Sequence, residues 1–400
     1  MRILFLSPYP PSLIRVRPFN WIKHLTARGH QIALLALVSS PEEAADLKHV
    51  ARYCHRAEGI PFPRWRSAWN LLLALPQRSL ALQAAFTSSP GMTHRIRQAL
   101  QRESFDAVHI EHLRGSTYAN AVDGVPIVWD SVDCISLLFE RTLQSGPSLV
   151  SRLMARADLA RTRRYEGRQV GQYAATLVTS PEDRDALQDL VRRWGNPDQA
   201  KIVVLPNGVD LAYFAPQEMP RQPDRIILTG KMSYHANVAA ALFLGQEIMP
   251  RVWRRRPDVR LQIVGKDPGP AVQALADDPR IMVTGYVPDM RPFLASAAVA
   301  ATPIRYGVGI QNKVLEAMAM GTPVVTTPQA STALLAREGE HFLVGESADD
   351  FAAKVVRLLN DRNLAAQIGA AGRRYVEAYH DWDRLAARLE EVYQRSAAAN

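Results

Sequence analysis

"GVGIQNKVLEAMAMGTPVV", residues 307–325, runs a glycine pair into a lone lysine and glutamate, a helix of small residues and a β-branched run. A helix beginning near Ile310 leaves backbone N–H groups unpaired in its first turn, and Gly307 and Gly309 let another molecule approach the chain closely. That is the outline of an anion site. Lys313 and Glu316 stand three residues apart and share a helix face, so one ligand could meet both, a phosphate at the lysine and a hydroxyl-bearing sugar at the glutamate. An ordinary surface Lys/Glu pair has the same spacing.

Outward from this stretch, short β-type runs alternate with helical patterns along the whole chain. "RILFLS" leads through "PFNWIKHLTARG" to "QIALLALV", and "DAVHI", "PIVWD" and "ATLVTS" follow, each with helical or polar sequence behind it. After the Pro-rich connector "IVVLPNGVDLAYFAPQEMPRQPDR" the alternation restarts with "RIILTG", "RLQIVG", "IMVTG", "AVAATP" and "PVVTT". This is the signature of parallel sheets covered by helices. The expected fold is α/β, with two Rossmann-like domains facing each other across a cleft. Residues 1–205 form the first, 206–222 a hinge, 223–380 the second, and 381–400 a C-terminal helix crossing back to the N-terminal domain. Ligands of such sheets collect outside the carboxyl ends of the strands.

Four hundred residues, 47% of them hydrophobic, are ample for two cores. Two cysteines exclude a disulfide framework, and the apolar run in "MRILFLSPYPP" is too short for a signal peptide, so cytoplasmic residence is expected. No apolar stretch approaches the roughly 20 residues needed to span a bilayer. The net charge of +9 suits a phosphorylated ligand or an anionic membrane face. Nucleic acid is not expected, because the arginines are scattered without zinc spacing, RNP motif or helix-turn-helix pattern. Arg64, Trp65, Arg66 and Trp69 precede an apolar run; that combination suits a bilayer interface, or a helix or loop packing its tryptophans inward.

"PNGVD", "TGKM", "TGYVPDMRPFLASA", the stretch at 307–325 and "YHDWDRL" keep the order typical of one family. The chain resembles GT-B glycosyltransferases of family 4, retaining enzymes that use nucleotide sugars, over nearly its whole length and most specifically in its second half. The resemblance implies transfer of a hexosyl unit from a UDP- or GDP-sugar to a glycan, lipid-linked or small-molecule acceptor, without a metal or other cofactor. It places ribose hydroxyls at Glu316 and the diphosphate at Lys231 and Lys313. Gly309, Ile310, Gln311 and Asn312 then contact sugar and phosphates, and the backbone at Tyr286 and Val287 touches the base. The physics agrees, since a departing diphosphate needs preorganised donors and cations.

Two departures matter. The family often shows Glu-x7-Glu, yet Val308 stands eight residues before Glu316, so the first carboxylate is missing and donor recognition is altered. Where relatives carry a glycine pair after the first strand, "SPYPPSLIRVRPFNW" puts Arg15 and Arg17 in the expected loop, as a phosphate clamp or as two solvated charges. After "DAVHI", Glu111 and His112 are the expected catalytic contacts to sugar or acceptor, with His109 a core residue on the acceptor side. Asp130 and Asp133 line the acceptor side or cap a helix. A nucleotide-sugar 2-epimerase and a non-catalytic nucleotide-sugar binder are the competing readings. A dehydrogenase is disfavoured because no GxGxxG follows the first strand.

Overall fold

The computed structural model describes residues 1–145, 149–305 and 310–398. The chain divides into two compact units, one formed by Met1–Pro206 with Trp382–Asn400, the other by Asn207–Asp381.

The first unit holds β1 (Arg2–Ser7), β2 (Gln31–Val38), β3 (Arg56–Pro61), β4 (Ala107–Glu111), β5 (Ile127–Val132), β6 (Ala175–Val178) and β7 (Ile202–Val204), ordered β3-β2-β1-β4-β5-β6-β7. The second holds β8 (Gln222–Thr229), β9 (Arg260–Val264), β10 (Ile281–Val283), β11 (Ala297–Thr302), β12 (Val324–Thr326) and β13 (Leu343–Val344), ordered β10-β9-β8-β11-β12-β13. Every strand pairing among the described residues is parallel. In each unit the strand order reverses beside the first strand, between β1 and β4 and between β8 and β11. A crevice at the carboxyl ends of those strands is where such sheets bind ligands.

Burial on both faces explains the continuous apolar runs. In β1, Ile3 and Phe5 pack with Trp21, Ile22 and Leu25 of the helix Val16–Ala27, while Leu4 and Leu6 pack with Met92 and Ile96 of the helix Pro90–Arg102. In β8, Ile227 faces Val314, Leu315 and Met318 of the helix Asn312–Ala319. The core of the second unit therefore fixes the helix that carries Lys313 and Glu316.

The expected hinge at 206–222 is not a free linker. From Asn207 onward its residues belong to the second unit: Val209 is buried and bridges to Asp381, and the His380 ring nitrogen lies 2.7 Å from the Asn207 carbonyl oxygen. The C-terminal helix, Trp382–Ala398, is part of the first unit. Trp382, Leu385, Leu389 and Tyr393 form its buried stripe, and the Trp382 ring meets Trp21 edge to face at 5.0 Å. Inward packing of Trp65 and Trp69 is corrected by the structure: both lie exposed on the helix Trp65–Ala74. No helix among the described residues is long and apolar enough to cross a membrane.

Candidate functional site

The carboxyl ends of β8, β9 and β10 are built around glycines with positive φ: Gly230 (+144°), Gly265 (+156°) and Gly285 (+68°). A Cβ on Gly265 would sit 1.7 Å from the Gly230 carbonyl oxygen, so these strand ends meet backbone to backbone and tolerate no side chain. The Gly230 N–H donates to Val264 (3.1 Å), that of Gly265 to Gly285 (3.2 Å) and that of Met232 to Lys266 (2.8 Å). The same close approach brings in the helix Asn312–Ala319: a Cβ on Gly230 would lie 3.3 Å from Lys313 Cε. Lys231, Lys313 and Glu316 are therefore gathered within one unit by backbone geometry, with exposed Tyr286 and half-buried Val287 in the loop after β10.

Gln311 caps the helix without a side-chain bond to its first turn; its Oε1 instead accepts from Lys313 Nζ at 3.2 Å. Burial pushes the Lys313 ammonium down to about 8, with Glu316 opposing, and pushes the Glu316 carboxyl up to about 7, with Lys313 opposing. Both shifts mark charges short of partners, the condition a ligand bearing phosphates and hydroxyls relieves. Lys231 is exposed, with Nζ 3.9 Å from Asp267, a surface pair that leaves its charge available. The side-chain oxygens of Asn237 and Asn312 are buried without a hydrogen-bond partner. Asn237 escaped the sequence reading: its Nδ2 donates to the Lys231 carbonyl at 2.9 Å and fixes that turn. The only signal was a polar residue in the first turn of "HANVAAALF". Ile310 is buried beneath the helix start, whereas Gly309 and Val308 lie outside the described residues.

In the first unit several expectations need correction. Arg17 is in the first turn of the helix Val16–Ala27, not in a loop, and is only 4% exposed. Its Nε and Nη2 donate to the two Asp130 oxygens at 2.8 and 3.0 Å, and Nη1 donates to the Leu205 carbonyl at 3.0 Å. A guanidinium held this way has no fork left for phosphate. Asp130 is fully buried, accepts a further bond from Trp21 Nε1 at 3.0 Å, and so lines no acceptor surface. Glu111 ends β4 as expected, but its carboxyl turns inward, with Oε2 3.6 Å from His109 Nε2. Burial, reinforced by Asp130 and opposed by Arg17, raises the Glu111 carboxyl well above the usual range. His109 is the core residue expected: it stacks on Phe5 at 4.2 Å, and its Nδ1 lies 2.7 Å from the Tyr393 hydroxyl. His109, Glu111 and Asp130 place ligand atoms within 4.8 Å of one another, but Arg17 already supplies the cation there.

Three expected residues stay near the strand ends with more freedom. Arg15 stacks over Tyr9 at 4.2 Å and pairs with Glu43 at 2.9 Å. Asp133 is half-buried and accepts from the Thr179 hydroxyl at 3.1 Å; burial pushes its carboxyl up to about 6. His112 follows β4 at φ +63°, and Val132, at the end of neighbouring β5, has φ +68°. Such a conformation is unusual for a β-branched residue, and strain of this kind collects at functional loops. His112 Nδ1 accepts the Arg114 N–H at 3.2 Å, and burial pushes the ring down to about 4. Its neutral form therefore carries a proton on Nε2, which makes that nitrogen a hydrogen-bond donor.

Comparison with known proteins finds a match for each unit. Residues 14–208 match the family model described as glycosyl transferase 4-like domain, and residues 223–361 match the one described as glycosyl transferases group 1. The chain is 29% identical over 227 residues to a phosphatidyl-myo-inositol mannosyltransferase of Mycolicibacterium smegmatis, covering 54% of this chain and 58% of that protein. It is 32% identical over 223 residues to a GDP-mannose-dependent alpha-(1-6)-phosphatidylinositol monomannoside mannosyltransferase of Mycobacterium tuberculosis, covering 50% and 57%. The matches thus span less than two thirds of these relatives. Among solved structures, sucrose-phosphate synthase from Thermosynechococcus elongatus superposes with a TM-score of 0.72 at 18% identity, covering 100% of both chains. With one of these family models over each unit, the chain belongs to the group 1 glycosyl transferases with a 4-like N-terminal domain.

Proposed function

We propose that the protein is a retaining glycosyltransferase, moving a hexosyl unit from a UDP- or GDP-sugar to a glycan, lipid-linked or small-molecule acceptor at the cytoplasmic face of a membrane. The observation that carries this reading is the convergence at the Gly230 turn, where the buried Lys313 and Glu316 lie short of partners on one helix and the exposed Lys231 follows the glycine. The name of the M. tuberculosis relative makes GDP-mannose and a lipid-linked acceptor the first pair to try.

In this reading Glu316 accepts hydrogen bonds from the ribose hydroxyls, and Lys231 and Lys313 meet the diphosphate. Gln311 and Asn312 reach the sugar side, and the backbone at Tyr286 and Val287 holds the base. The bond from the anomeric carbon to the diphosphate oxygen breaks as the acceptor oxygen attacks from the same face. The acceptor proton passes to the departing phosphate oxygen, so the protein positions the partners and stabilises developing charge without a metal or cofactor. His112 and Asp133 are the acceptor-side contacts that remain in this scheme.

The perturbed pair gives a pH test. Binding needs Glu316 as a carboxylate, lost as pH falls through about 7, and Lys313 as an ammonium, lost as pH rises through about 8. Affinity for an intact nucleotide sugar, whose diphosphate has no group titrating in this range, should therefore peak between pH 7 and 8 and fall on both sides. Calorimetric titration across pH 5.5 to 9.5, roughly a decade and a half beyond each limb, checks this. A flat profile would detach the pair from the donor.

A further inference from the structure

The helix Trp65–Ala74 is built the wrong way round for a soluble surface. Trp65, Trp69, Leu72 and Leu73 recur at helical spacing, and all four face outward, with Trp65 66% and Trp69 57% exposed. The residues it turns toward the body of the unit include Ser67, Asn70 and Ala74. Ser67 and Ala74 are buried, and Asn70 Nδ2 donates to the carbonyls of Phe86 and Ser88 at 3.3 and 2.9 Å. The helix Leu149–Gln169 repeats the arrangement at its start, where Leu149, Val150, Leu153 and Met154 are exposed. The two helices are joined: Arg161 donates to the Ala74 and Leu75 carbonyls at 3.0 and 2.7 Å, and Asp158 accepts the Leu82 N–H at 3.0 Å.

Charge selects the occupant. Between Glu58 and Glu103 there is no acidic residue and there are six arginines, and between Glu140 and Asp158 there is none against three arginines. A second copy of this chain would set positive charge against positive charge. We propose that the outer faces of Trp65–Ala74 and Leu149–Gln169 form one docking surface that inserts its tryptophans and leucines into an anionic phospholipid bilayer, with the flanking arginines at the headgroups. This deepens the membrane placement proposed above but uses none of the donor-site residues, so either can fail without the other.

Of the seven tryptophans only Trp65 and Trp69 are exposed, so indole emission reports on this face. The full chain should cosediment with vesicles of equal phosphatidylglycerol and phosphatidylcholine, and its emission should shift to the blue, while pure phosphatidylcholine binds far less. At ~1 M salt, where screening cuts electrostatic reach to about 3 Å, part of the binding should survive through the inserted side chains. The pairs Trp65→Ser with Trp69→Ser and Leu153→Ser with Met154→Ser should each lower partitioning about tenfold or more, with unfolding midpoints unchanged. Three results would overturn the proposal: no emission shift with anionic vesicles, variants that partition as the parent does, or lipid-free self-association that the same substitutions abolish.

Discussion

Alanine at Glu316 or at Lys313 should weaken nucleotide binding by roughly 1.5 to 3 kcal/mol each, a loss of about ten- to a hundredfold in affinity. Each removes a hydrogen-bonding partner of a charged or multiply hydroxylated group in a half-buried setting. The two side chains share one face of the helix Asn312–Ala319 and perturb each other, so the double variant should lose less than the sum of the singles. Neither change should unfold the unit, because the helix is held by Val314, Leu315 and Met318, which stay in place. Calorimetry with UDP and with GDP reads the loss and identifies the base. Unchanged affinity in both single variants would remove the donor site from this helix.

Asp130→Ala should be the most damaging single change to stability, costing about 3 to 5 kcal/mol, since it leaves the Arg17 guanidinium buried and uncompensated. Trp21 Nε1 loses its acceptor in the same step. Replacing both members of the pair, Arg17→Met with Asp130→Leu, should recover most of the loss, because the desolvation cost of two ions disappears with them. Urea unfolding of the single and double variants measures this. If Arg17→Met instead left stability intact and abolished nucleotide affinity, the phosphate-clamp reading of Arg17 would return.

The contrast between these two residue sets shows what a sequence reveals. Lys313 and Glu316 sit close together in the chain, and helical spacing alone put them on one face. The long strands were equally plain, because β1 and β2 are buried on both sides and read as continuous apolar runs. The edge strand β3, with the mixed sequence RAEGIP, and the two-residue β13 carry no such run and were missed. Arg17 and Asp130 lie 113 residues apart, and no local pattern foretells their pairing. For Glu111 the alternation of β4 places it on the same face as His109. What covers that face, Tyr393 of a helix nearly 300 residues later, is a tertiary fact. Charged residues in loops and at strand ends look alike in sequence whether they await a ligand or are already satisfied.

The most direct measurement is proton NMR of the purified protein with a panel of UDP- and GDP-hexoses, following the anomeric signals while nucleoside diphosphate is released. The account predicts that one donor is consumed, that the released or transferred sugar first appears with the anomeric configuration it had in the donor, and that Lys313→Ala and Glu316→Ala slow this sharply. A sugar whose configuration at C2 has inverted would identify an epimerase, and a panel returned unchanged by a protein that binds it would identify a binder; either result would contradict the account.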